Sequence, residues 1–133
     1  MKKIILSIML LLFCFFAEAQ DVIKLRSDVV TVALFDESIG EYSKYEEPVK
    51  TNILIVLEET KVTIYSQEVQ KISILKTSEK LYTKKYEPYF LLECVDGNGI
   101  RCNVILSVTS LNTIDAVLLQ YSDIMFVYDC KVE

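Results

Sequence analysis

Tyr89-Phe90-Leu91-Leu92-Glu93-Cys94-Val95, then Asp96-Gly97-Asn98-Gly99, then Ile100-Arg101-Cys102-Asn103-Val104-Ile105-Leu106-Ser107-Val108 is the stretch on which the fold turns. Two runs of strand length, rich in aliphatic and β-branched residues, flank a cluster of turn formers, which is the pattern of a β-hairpin. A three-residue loop Gly97-Asn98-Gly99, with Gly99 in the left-handed position, sets Asp96 opposite Ile100. Cys94 then faces Cys102, Leu92 faces Val104 and Phe90 faces Leu106, while Glu93 pairs with Asn103 on the other face. A two-residue Asn98-Gly99 loop would put Glu93 beside Val104 and mix the faces, so the hydrophobic partition selects the longer loop.

The same short period runs outward from this hairpin in both directions. Strands are expected at Val29 to Phe35, Ile53 to Leu57, Val62 to Tyr65 and Val69 to Leu75, and after the hairpin at Ala116 to Tyr121 and Ile124 to Cys130. Turn-like breaks separate them at Asp36 to Gly40, Glu58 to Lys61, Leu111 to Asp115 and Ser122-Asp123. Pairing Leu57 with Val62 aligns Ile53, Ile55, Leu57, Val62 and Ile64 on one core face. No stretch holds a helical repeat of comparable length. Short connections favour antiparallel neighbours, so the expectation is an all-β domain, a single antiparallel meander of about seven to eight strands forming a small barrel or sandwich.

The chain begins with Lys2-Lys3, an uncharged apolar run from Ile4 to Phe16, and Ala17-Glu18-Ala19, the small-x-small pattern that signal peptidases cut. The run of 13 residues falls short of the roughly 20 that cross a bilayer core. Residues 1–19 are therefore read as a signal peptide and 20–133 as a single β-rich domain, periplasmic or secreted, with no stable membrane insertion after leader cleavage. Without the leader, Lys and Arg number 12 instead of 14 and Asp and Glu 18 instead of 19, so the net charge moves from −5 to −6. An acidic domain with no basic cluster larger than Lys84-Lys85 repels phosphate backbones, and nucleic acid is excluded as an expected partner.

The chain has no histidine. Ser-His-Asp and Cys-His catalysis cannot exist in it, and the usual zinc sets lose their nitrogen donor. Glu46-Glu47 and Glu58-Glu59 lie beside turns, where carboxylates are solvated, and sequence neighbours on a strand point to opposite faces instead of across a cleft. Asp96-Gly97-Asn98-Gly99 opens like a calcium loop, but Ile100 and Arg101 occupy the places of a third oxygen ligand and the turn glycine. No catalytic residue, cofactor or metal ligand is nominated, and an enzyme is not expected.

Exported chains meet an oxidising compartment, and the opposed Cys94 and Cys102 leave two readings open: a cross-strand disulfide, or two buried thiols packing as small apolar residues. Cys130 is left over in either case. The feature most suggestive of recognition is aromatic. Tyr82, Tyr86 and Tyr89 cluster with Lys80, Lys84 and Lys85, and Tyr42 and Tyr45 lie in a second polar segment ending at Pro48. Tyrosine combines contact area with a polar tip, which suits protein interfaces and sugar stacking, although it is also a common strand residue.

With its leader, its acidic β-rich body, the segment Asp96-Gly97 through Cys102, and Tyr121-Ser122-Asp123 before a closing aromatic strand, the chain resembles small uncharacterised exported β-rich proteins of Bacteroidota-type bacteria. The resemblance implies an envelope or secreted role and carries over no functional residue. The expectation is a non-enzymatic binding or protein-interaction module of the cell envelope or extracellular space. The alternative is a small-ligand carrier with a lipocalin-like β-barrel, since an eight-stranded meander can close around an apolar interior.

Overall fold

The computed structural model describes residues 22–78, 88–109 and 113–133. They form nine strands: β1 (Ile23–Asp36), β2 (Glu41–Tyr45), β3 (Val49–Leu57), β4 (Lys61–Tyr65), β5 (Val69–Thr77), β6 (Tyr89–Val95), β7 (Arg101–Val108), β8 (Ile114–Gln120) and β9 (Ile124–Val132). Every pairing is antiparallel between sequence neighbours, apart from β1 with β3 and the seam where β1 meets β9. That seam runs from Leu25 opposite Val132 to Leu34 opposite Ile124, and it closes the sheet into an eight-stranded up-and-down barrel with β2 as an additional strand.

The central hairpin adopts the register expected from its faces: Cys94 opposite Cys102, Leu92 opposite Val104, Phe90 opposite Leu106 and Glu93 opposite Asn103. Its turn is tied by one carboxylate. Asp96 Oδ1 accepts the amides of Asn98 and Ile100, both at 2.9 Å, and the Gly99 amide donates to the Asp96 carbonyl at 3.0 Å. Gly99 sits at φ +81°, where a side chain would be strained. The hairpin of β3 and β4 likewise pairs Leu57 with Val62 and Ile55 with Ile64.

Strand alternation sorts the side chains into an inner and an outer set. Inside, direct partners form one tier from Leu92 through Val104, Leu119 and Phe126 to Val32, and a second from Phe90 through Leu106, Val117 and Tyr128 to Val30. Phe90, Val104, Val117 and Leu119 are completely buried, as are Leu25, Ile55, Ile64 and Ile72 from the other half of the barrel. An eight-stranded barrel is just wide enough for such side chains to fill. Bulges between Ser27 and Val29 in β1 and between Ser107 and Val108 in β7 shift the pairing locally and accommodate barrel curvature. The buried Ser27 hydroxyl donates to the Val29 carbonyl at 3.0 Å across the first of these.

β2 is the element that pattern reading did not anticipate. Glu41-Tyr42-Ser43-Lys44-Tyr45 is too polar to stand out as a strand, and it pairs only with the far half of β1, from Asp36 opposite Glu41 to Ala33 opposite Tyr45. The Glu46 amide still donates to the Val32 carbonyl at 2.8 Å, so β2 and β3 are two parts of one path along β1, interrupted at Pro48. The end of β1 and β2 together make an arm whose turn is closed by Gly40 at φ +69°.

Candidate functional site

Four turns lie at the same rim of the barrel: the arm turn, residues 66–68 between β4 and β5, residues 96–100 between β6 and β7, and residues 121–123 between β8 and β9. Two contacts fasten the arm, the β6–β7 turn and the β8–β9 turn to one another. Tyr121 Oη donates to Asp96 Oδ2 at 2.9 Å, and the Tyr42 hydroxyl donates to the Tyr121 carbonyl. Phe35 supports the arm from beneath, with its ring set edge-on to Tyr42 at 5.1 Å and its amide donating to the Asp123 carbonyl at 3.0 Å.

These contacts enclose a groove of about 300 Å³ on the outer face of the barrel, walled by Tyr42, Tyr121 and Ser122. Its floor is the cross-strand row Glu93, Asn103 and Gln120, which continues beyond the groove to Met125 and Ala33. Asn103 Nδ2 donates to Gln120 Oε1 at 3.2 Å, and Gln120 Nε2 reaches Met125 Sδ at 4.0 Å. Met125 and Ala33 face outward yet are buried beneath the arm side of this row. Arg101 also lines the groove, and Glu93 makes an exposed ion pair with Lys76 at 3.9 Å.

The electrostatics mark Tyr121 and Asp96 as the fixed part of the site. Burial, followed by the Asp96 carboxylate beside it, pushes the Tyr121 hydroxyl well above the ordinary phenol range, so it remains a donor. Asp96 is held below the usual carboxylate range, chiefly by the Ile100 amide, with Tyr121 and Asn98 adding to the effect. Tyr42 is also raised, by burial and then by Asp123.

The tyrosines singled out from sequence separate. Tyr42 is half-buried in the groove wall, Tyr45 is exposed on the arm, and Tyr89 is half-buried at the start of β6, remote from both. Tyr82 and Tyr86 lie outside the described residues, as does the leader segment 1–19. Cys94 and Cys102 face each other as expected, and both are free thiols, as is Cys130. The thiol reading is the one present: Cys94 Sγ donates to the Leu92 carbonyl at 3.4 Å, and burial pushes its pKa up to about 12. Among the described residues no cluster of His, Cys, Asp or Glu could hold a metal ion.

Sequence reading missed Arg101, Gln120 and Tyr121 as neighbours of Tyr42. Glu93 and Asn103 were legible as an outward pair, but Gln120 joins them only through a β7–β8 register that a bulge displaces.

The arm presents a second surface. β4 covers only Leu54 to Leu57 of β3, and nothing among the described residues pairs with the outer side of β2. Among the described residues, the path from residue 41 to residue 53 is therefore an open sheet edge. Tyr45 is 60% exposed on it and Val49 57%, with Leu34 and Ile39 also exposed on the arm. Residues 36–50 carry five carboxylates and two lysines.

No family model, curated protein or solved structure matches the chain. The fold is a closed antiparallel β-barrel bearing a lateral arm, with the arm edge and the groove as its candidate binding surfaces.

Proposed function

We propose that this protein is a non-enzymatic protein-interaction module working outside the cytoplasm, and that it takes up an extended segment of its partner along the open edge of β2 and β3. The observation that carries the reading is the edge from residue 41 to residue 53, unpaired among the described residues and carrying exposed Tyr45 and Val49. An exposed edge is a ready template for strand addition, in which main-chain hydrogen bonds supply affinity and alternate side chains supply selectivity. The excess of carboxylates along the arm favours a segment with basic residues alternating with apolar ones, and it opposes pairing with a second acidic copy. The Glu46-Glu47-Pro48 interruption limits indiscriminate pairing, as charge and proline do on natural sheet edges. The apolar leader supports export.

The test is amide hydrogen exchange of the mature protein with a peptide of alternating lysine and valine as probe. Protection confined to residues 41–53, abolished when alternate peptide amides are N-methylated, is the expected result. Protection elsewhere, or none at saturating peptide, refutes edge addition.

A further inference from the structure

We infer that the groove beneath Tyr42 is a saccharide subsite, taking one neutral pyranose unit against the Asn103–Gln120 floor. This site is separate from the open edge and does not depend on strand addition there. Its donors and acceptors alternate. The amide-to-amide bond uses one N–H of Asn103 and the carbonyl oxygen of Gln120, leaving Asn103 Oδ1 as an acceptor and one further N–H on Asn103. Gln120 points one N–H toward Met125 Sδ and retains a second. Glu93, opposite Asn103, accepts, and Arg101, two residues along β7 on the same face, donates without an ion-pair partner among the described residues.

Adjacent ring hydroxyls of a sugar each donate and accept, and planar amide, carboxylate and guanidinium groups match such pairs two atoms at a time. The lining carries one carboxylate, Glu93, and one guanidinium, Arg101, so charges of both signs face the groove and neither sign selects a strongly charged ligand. Tyr42 and Tyr121 supply the partly apolar walls that the C–H face of a pyranose requires. A volume of about 300 Å³ is at the small end for ligand sites, the size of a single ring unit and not of a lipid or dinucleotide. The floor is also pre-ordered: it sits on the mid-length of β7 and at the end of β8, and its two amides are bonded to each other before any ligand arrives.

Isotope-labelled protein titrated with glucose, N-acetylglucosamine and glucuronate, followed through side-chain amide resonances, tests the assignment. Saturable shifts of Asn103 and Gln120 with either neutral sugar are expected, with affinity falling about tenfold in Asn103→Ala, the worth of one lost hydrogen-bonding group. Arg101→Gln, at an exposed position that does not endanger folding, provides a second variant and should weaken the same titration. Silence with both neutral sugars overturns the proposal. A response to glucuronate alone also overturns it and assigns the groove to carboxylates. Shifts that persist unchanged in both variants place the sugar elsewhere and overturn it as well.

Discussion

Asp96 does the work of several residues. One of its oxygens closes the β6–β7 turn through two amides and the other receives the Tyr121 hydroxyl that links two turns at the rim. Its carboxyl is depressed in the folded state, so its contribution to stability is present above its unfolded pKa and is lost as pH falls through the lower folded value. Asp129 has the opposite sign: burial, then Asp28 and Asp115, raise it, so its charge opposes folding at neutral pH and the opposition is relieved in acid. Asp129→Asn should therefore raise the thermal midpoint at neutral pH, with the gain vanishing below the ordinary carboxylate range. Asp96→Asn should lower it at neutral pH. A pH series of melting curves on both variants checks the pair of signs. Gly99→Ala should cost about 1–2 kcal/mol in denaturant titration, because an L side chain is strained at φ +81°. Cys94 and Cys130, both pushed up to about 12 by burial, are neutral thiols at physiological pH. Alkylation followed by mass spectrometry should leave them unmodified in the native protein and modify them in denaturant.

At the scale of elements, the hairpin of β6 and β7 was legible because three levels agreed: turn chemistry, face partition and strand length. The strand residues from Tyr89 to Val95 match the observed β6 end to end. The arm was illegible for a matching reason. Tyr42 and Tyr45 are separated by a register shift between Leu34 and Phe35, so the alternation that marks a strand is broken where β2 pairs. Likewise β1 runs from Ile23 to Asp36, well before Val29, because Lys24, Arg26 and Asp28 face outward and dilute its apolar character. Of the groove, only Glu93 with Asn103 could be placed from sequence; its remaining walls come from turns that meet through closure. The Tyr42 hydroxyl and the Phe35 contacts hold the arm to the barrel rim in addition to its pairing with β1. Tyr42→Phe should therefore speed amide exchange in β2 while leaving β6 to β9 protected, at a cost of about 1 kcal/mol in local opening. Equal exchange in the two proteins would show that the hydroxyl does not hold the arm.

At the scale of the whole molecule, the described residues pack the inside of the barrel with buried side chains. Phe90 is the largest of the completely buried side chains, and it has Leu106 as its direct partner in the inner tier. Phe90→Ala should destabilise by about 3–5 kcal/mol in equilibrium unfolding, through lost transfer energy and the void left in a closed barrel that relaxes little. If the variant stays folded, it should acquire affinity for a small apolar probe such as benzene that the parent protein lacks. Both proposed recognition surfaces, the arm and the groove, accordingly lie on the outside of the barrel. The seam between β1 and β9 brings Leu25 opposite Val132, and the Glu133 amide donates to the Lys24 carbonyl at 2.9 Å, so both ends of the barrel strands emerge together at the rim opposite the arm. That polarity makes the barrel a natural display head: held from the rim where Leu25 and Val132 lie side by side, it presents its arm and groove outward.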